Sequence, residues 1–438
     1  MKHPLLLIQI LIILVAWPAN AQKSAKLKEI HQDADYFFER EDYSEAITQY
    51  MLLIDNGYES ANIKFKIGVC YLNMPGEEVR SIPYFEEASR NITVKYKPKE
   101  LEETHAPLHT LFFLGNAYRI NNELSKALEA YDKFTNNPGF FGNYNLDIVD
   151  TEVKACERAK TIQDNPVEVN WLNLGDPVNT STSETCPVVS GNDSVLVYLS
   201  TQKLYNAIFF CKRQVDGTWS SPDNLNPQVL SDGEFYPSGL SFDGKELYLI
   251  KKASVNSDIY VSEYADGRWS RAKKLNENVN SSSSENYASV SPDGKTLYFT
   301  SNRSNSRGGY DIYFSVKGPN GEWGKAQNMG KVINTPQDEA TPFIASDNKT
   351  LYFSSKGHYN MGGFDVFYST INTDKKWQTP VNIGFPVNNT NDNLFYCPVL
   401  KGTSGYMARI NKEGKSREDI YKLDIKSKLS LKEIASGK

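Results

Sequence analysis

Five of the six tryptophans in this 438-residue chain recur at nearly constant spacing. They are Trp171, Trp219, Trp269, Trp323 and Trp377, with gaps of 48, 50, 54 and 54 residues. A period near 50 marks an array in which one supersecondary unit repeats, because a single unit cannot bury its apolar face alone. More than half of the chain is thereby constrained to a repeat architecture. The pattern also argues against an enzyme, since the recurring residues look like scaffold rather than a reaction site.

Between tryptophans the same signals return in the same order. The third repeat runs through Asn280, Glu285, Ser291-Pro292-Asp293-Gly294, Leu297-Tyr298-Phe299, Gly308-Gly309-Tyr310-Asp311-Ile312-Tyr313 and Trp323. The second carries Glu234, Pro237, Asp243-Gly244, Leu247-Tyr248-Leu249, Asp258-Ile259-Tyr260 and Trp269; the fourth carries Glu339, Pro342, Asp347-Asn348, Leu351-Tyr352-Phe353, Asp365-Val366-Phe367 and Trp377. Asp-Gly and Asn-Gly pairs supply the positive φ of tight hairpins. The runs between them are β-branched or aromatic and of strand length. Each unit is therefore expected to hold four short strands, and four-stranded units repeated around an axis are propeller blades.

The ends of the array predict a closed ring of five blades. The fifth repeat reaches Asp419 to Ile425, a third strand with no tryptophan strand after it, while Val167 to Trp171 is a tryptophan strand with no blade before it. Pairing the two completes the last blade and removes an exposed edge. Ser291 to Lys295, with the later Asp-Ile-Tyr strand, resembles the WD40-like propeller repeats of the TolB type over roughly residues 166–425. The first repeat (Ser190 to Ser194) and the fifth (Lys401 to Ser404) depart from that hairpin.

Upstream, strand alternation gives way to helical spacing. Three helix pairs align with the tetratricopeptide pattern. The first offers Ile30, Ala34, Phe37, Ala46, Tyr50 and Leu53; the second Ile67-Gly68, Tyr71, Ser81, Phe85 and Ala88; the third Leu114-Gly115, Tyr118, Ala127, Tyr131 and Phe134. A last helix from Leu146 to Ile162 is expected to cap the stack. Residues 1–21 read as a secretory signal, with Lys2, an apolar run from Leu5 to Val15 and a cleavage site at Ala19-Asn20-Ala21. The expected organisation is signal 1–21, a tetratricopeptide-like α-helical domain 22–165, an all-β five-bladed propeller 166–425 and a tail 426–438.

Signal, tetratricopeptide-like helices and propeller, in that order, resemble the front half of the PorE/OmpA-type envelope family. Members of that family continue into an OmpA-like peptidoglycan-binding domain. Here 13 residues follow Ile425, so peptidoglycan binding is not carried over. The formal charge is −5. It is uneven: residues 22–165 hold 17 basic and 24 acidic residues, residues 166–438 hold 30 and 29. Neither half has the concentrated basic face of a nucleic-acid binder, and no segment after the signal is long and apolar enough to span a membrane.

Candidate sites are few. Glu184, Glu234, Glu285 and Glu339 each stand three residues before the first-strand proline position, where Phe395 replaces the fifth. First strands line a propeller's channel, so these carboxylates are candidates for a channel-mouth site, against blade-to-blade hydrogen bonding. The Asp of Asp-Ile-Tyr (Asp258, Asp311, Asp365, Asp419) reads as a structural acceptor. His105 and His109, with Pro107 between them, read as a helix-entry loop. Cys186 and Cys397 occupy matching places before a proline, which leaves a disulfide between them open. The tetratricopeptide pattern places Phe38, Phe65, Phe112 and Arg119 along a groove for an extended partner, against packing within the fold. The expected function is a non-enzymatic periplasmic or secreted scaffold joining protein partners in an envelope complex, of the secretion or gliding kind the family implies, with no cofactor or metal. The alternative is capture of a small ligand or glycan at the propeller mouth.

Overall fold

The computed structural model describes residues 24–253, 256–399, 402–411 and 418–426. The expected signal, 1–21, and the tail beyond residue 426 lie outside the described residues. The chain separates into two compact units, Met1–Cys156 and Glu157–Lys438.

The first unit is helical. Its helices are α1 (24–39), α2 (Tyr43–Asp55), α3 (Ala61–Leu72), α4 (Ser81–Ala88), α5 (Thr110–Ile120), α6 (Leu124–Thr135) and the start of α7 (Leu146–Gln163). The first six form three hairpins. One position repeats in each first helix: Ala34, Gly68 and Gly115 face the aromatic residues Tyr50, Phe85 and Tyr131 of the second helices. A Cβ on Gly115 would lie 2.3 Å from the Tyr131 ring, and one on Gly68 2.7 Å from Phe85. The helices therefore touch where the first one lacks bulk, and the ring fills the gap. The next residue repeats a bond as well: the Tyr50 hydroxyl donates to Asp35 and the Tyr131 hydroxyl to Asn116, both at 2.7 Å. α3 is capped by the Ser60 side chain, which accepts from the Ile63 amide.

The second unit contains five antiparallel sheets, the blades of a propeller; four have four strands and the second has five, because Arg268–Trp269 and Lys273–Lys274 both pair with Ser257–Ala265. Their first strands are Ser183–Val189, Phe235–Leu240, Glu285–Val290, Glu339–Ile344 and Cys397–Val399. The last blade is completed by Val169–Asn173, which pairs with Glu418–Ile425 from Asn173 opposite Tyr421 to Val169 opposite Ile425. The ring is thus closed by both ends of the array, as expected. Blade 3 shows how the hairpin signal works: the Ser291 hydroxyl donates to Asp293 and accepts from the Thr296 amide, while Gly294 takes φ +69°. In blades 1 and 4, Asp193 (φ 55°) and Asn348 (φ 56°) take the left-handed place instead. Both residue types tolerate that region because their short polar side chains bond locally.

The tryptophan ruler is out of register at one end. Trp219, Trp323 and Trp377 bridge to Arg213, Lys317 and Ile371, and Trp269 pairs with Tyr264, all in the hairpin that follows the third strand. The ladder proper lies five residues on, at Asn224, Lys274, Asn328 and Asn382. Its equivalent in the closing strand is Asn173, only two residues after Trp171. Trp171 therefore occupies a different place. The closing strand arrives from the helical end of the chain and has no preceding hairpin to hold a tryptophan in the shared position.

An asparagine secures each junction between blades. In blade 3, Ile312 donates its amide to Asn334 Oδ1 at 2.8 Å, and Asn334 Nδ2 donates back to the Ile312 carbonyl at 2.9 Å. Asn179, Asn280 and Asn388 bracket Ile420, Ile259 and Val366 in the same way. Asn226 joins the amide of Ile208 to the carbonyl of Asn206.

Candidate functional site

The four glutamates do not form a channel mouth. Glu184, Glu285 and Glu339 are fully buried, and each is enclosed by the loop leading into its own blade. Glu184 accepts from the Thr180 amide and from the hydroxyls of Thr180, Thr182 and Ser200. Glu285 accepts from the Ser281 amide, Ser281 and Ser301, and pairs with Arg303 at 3.0 Å. Glu339 accepts from the Thr335 amide, Thr335 and Ser355. Glu234 lies elsewhere. In blade 2 the ladder place of these glutamates, opposite Lys251, belongs to Phe235; Glu234 is exposed and meets Lys251 at 3.3 Å. In blade 5 the place belongs to Asn393, which accepts from the Asn389 amide, and not to Phe395. Counting back from the proline failed because the proline has no fixed ladder place: compared with Pro342 it stands one residue earlier in blade 2, at Pro237, and two later in blade 5, at Pro398.

Among the described residues no cation pairs with Glu339. Burial outweighs its three hydrogen bonds and pushes its carboxyl from 4.5 up to about 7. The linkage runs against the usual carboxylate case. Below pH 4.5 both folded and unfolded chains hold this proton; between 4.5 and about 7 only the folded chain does, so its contribution is lost as pH rises through that window. We expect Glu339→Gln to narrow the gap between melting temperatures at pH 5 and pH 8. A gap equal in wild type and variant would show that the carboxyl does not titrate there.

The axis itself is lined by the bulge residues, two positions after the buried glutamates. Cys186, Tyr287, Thr341 and Phe395 all have left-handed φ, between 43° and 56°. Such values are rare for β-branched and aromatic residues. In blade 2 the equivalent residue is Pro237, whose ring forbids positive φ, and the register shift falls after it. Tyr287 and Phe395 come from non-adjacent blades, yet their rings meet edge to face at 5.5 Å. They therefore sit on the axis and close it. At the hairpin end of the first strands a half-open pocket of about 30 Å³ lies among Val189, Gly191, Leu240, Phe242, Ser289 and Ser346, room for about one or two waters. The spacing from the glutamates to this collar is visible in the sequence, but only the ladder register reveals its meaning.

The Asp-Ile-Tyr aspartates are structural acceptors. Asp311 binds the Arg307 and Gly308 amides and Asn328; Asp365 binds the Met361 amide and Asn382; Asp419 binds Asn173; Asp258 meets Lys274. Cys186 and Cys397 are free thiols. Cys397 Sγ lies against the Val189 backbone, while Cys186 stands at its bulge; burial pushes both thiols up to about 12. His105 contacts Glu103, whereas His109 contacts Tyr144. Among the described residues no group of three or more His, Cys, Asp or Glu side chains is placed to hold a metal.

In the helical unit, two of the four groove residues are interior. Arg119 is buried and paired with Glu152 of α7 at 2.9 Å, so its charge holds the last helix rather than a partner. Phe65 is 6% exposed and packed against Phe85, Tyr96, His109 and Phe113. Phe38 and Phe112 are half-buried, beside Tyr43 and Tyr50, and beside Phe113, Tyr131 and Phe134 respectively. Part of what covers Phe65 is the segment between α4 and α5, which turns at 98–99 and 101–102 and brings Tyr96 to it. Ile92–Thr93 and Ala106–Pro107 pair in parallel at its base, and Tyr96 hydrogen-bonds Asn62 of α3 at 2.6 Å. Beneath it, Lys66 donates to Asp35 at 2.6 Å and to the Pro98 carbonyl at 2.8 Å.

No protein-family model matches the chain, and no curated protein matches it. Among solved structures, TolB from Acinetobacter baumannii aligns at 17% identity and TM-score 0.35, over 56% of this chain and 55% of that one. This chain thus spans about half of that protein's length. A putative TolB from Agrobacterium tumefaciens aligns at 14% identity and TM-score 0.35, over 60% and 99%. The catalytic domain of a GH62 α-L-arabinofuranosidase from Coprinopsis cinerea aligns at 10% identity and TM-score 0.38, over 60% and 98%.

Proposed function

We propose that the chain is a non-enzymatic scaffold of the cell envelope, exported to the periplasm, which joins protein partners through a tetratricopeptide-type helical unit and a TolB-type propeller. One observation carries this reading: a non-helical stretch of polypeptide, residues 92–107, lies on the face of α3, with its Tyr96 ring edge to face with Phe65. A helical surface that orders non-helical chain has the chemistry of a peptide-binding face. The recurrent carboxylates of the propeller support the same reading, because hydrogen bonds within the blades already engage them. Ligand capture at the axis is less supported, since Tyr287 and Phe395 close it. The test is crosslinking of the tagged full chain in its native envelope, followed by gel filtration and mass spectrometry. A stoichiometric protein complex with crosslinks on α1 to α3 is expected. A chain that elutes alone, or carries only glycan, refutes the scaffold.

A further inference from the structure

We propose that residues 94–104 are a displaceable internal ligand, and that the face they cover takes a non-helical, tyrosine-bearing segment of a partner protein. This rests on the scaffold reading and names the surface it uses.

The segment is held at few points. Three of its side chains are drawn in: Tyr96, half-buried, Leu101, 8% exposed, and Glu103, whose carboxylate accepts from the Lys97 and His105 amides. Val94, Lys95, residues 97–100, Glu102 and Thr104 are exposed. Its remaining ties are two carbonyls, Pro98 to Lys66 and Thr104 to the Ala61 amide, and an exposed ion pair between Lys99 and Glu39. Such an ion pair contributes little. A segment with so few buried contacts belongs to the low-stability end of local opening.

The fit beneath it is also incomplete. Asn62 and His31 are buried, at 0% and 2% exposure, yet neither Asn62 Nδ2 nor His31 Nε2 has a hydrogen-bond partner. Asn62 faces the segment, since its Oδ1 receives the Tyr96 hydroxyl. His31 lies within the field of Glu102. Unmade hydrogen bonds at buried polar groups oppose the closed state. A partner that reproduces the tyrosine and the carbonyl over Lys66, and adds an acceptor for the Asn62 amide, makes every contact the segment makes and one more.

The probe is a fluorescein-labelled peptide of the chain's own sequence from Ile92 to Pro107, titrated into the full-length protein by anisotropy. A Tyr96→Ala, Leu101→Ala protein should bind it at least tenfold more tightly than wild type, and a peptide carrying Tyr96→Ala should lose that binding. Equal binding by both proteins, or none, overturns the proposal. A second measurement covers a variant that fails to fold. In unmodified protein the Ala61 amide, which bonds Thr104, should exchange with solvent at least a hundredfold faster than the Ile67 amide within α3. Equal protection means the segment is a fixed part of the unit. Either failure leaves the crosslinking result untouched, so the loss of this proposal is distinguishable from loss of the scaffold.

Discussion

Removing Pro166 to Leu174 from the full chain should unfold the propeller at denaturant concentrations the intact chain tolerates. The expected loss exceeds about 3 kcal/mol, the upper range of an ordinary single-site change. The closing strand supplies five ladder pairs to Glu418–Ile425 and places Asn173 against Asp419 at 2.6 Å. Without it the edge of the last blade is bare, and Asn179 loses its bond to Asn173 Oδ1. The ring would then be held by blade-to-blade packing and by the bracket of Asn179 on Ile420. Tryptophan fluorescence against guanidinium concentration measures this directly, because Trp219, Trp269 and Trp323 are buried in the blades. An unchanged midpoint would mean that closure contributes nothing to stability.

Asn334→Ala is expected to be the most damaging single substitution in the propeller. Asn334 is fully buried and makes three bonds, to the amide and carbonyl of Ile312 and to Asn328. Alanine leaves the buried Ile312 amide unpaired, while the Ile312 carbonyl keeps the Met329 amide. An unsatisfied buried donor costs about 1–3 kcal/mol, so a loss of about 1–3 kcal/mol is expected, at an unchanged dependence on denaturant. Asn334→Asp should fall between, since a carboxylate still accepts from the Ile312 amide but has nothing to donate to its carbonyl. A loss under about 0.5 kcal/mol in the alanine variant would show that water replaces the bracket.

The helical face illustrates a limit of pattern reading. Gly68 and Gly115 were legible as close-contact positions, because a missing side chain followed by an aromatic residue 16 or 17 places later implies two helices in contact. Phe65 and Arg119 were legible only as residues of inner helices. Arg119 turns inward because Glu152, 33 residues on, meets it. Phe65 is covered because the chain between α4 and α5 folds back over it. No local spacing records either event.

The propeller divides along the same line. The sequence by itself determined the repeat, the number of blades, the hairpin chemistry and the pairing of Val169–Asn173 with the last blade. Each of these follows from local backbone preference and from counting units with one strand too many or too few. Tertiary structure alone decided which way the recurrent side chains point. In blade 2 the ladder sets Phe235, not Glu234, opposite Lys251 and leaves Glu234 at the surface, and the left-handed backbone at Tyr287 and Phe395 brings their rings together on the axis. In a strand, successive side chains face opposite ways, so a shift of one residue exchanges inside for outside. Whether a strand bulges depends on the ladder register with its neighbour, a relation between distant segments that periodicity along one chain does not carry.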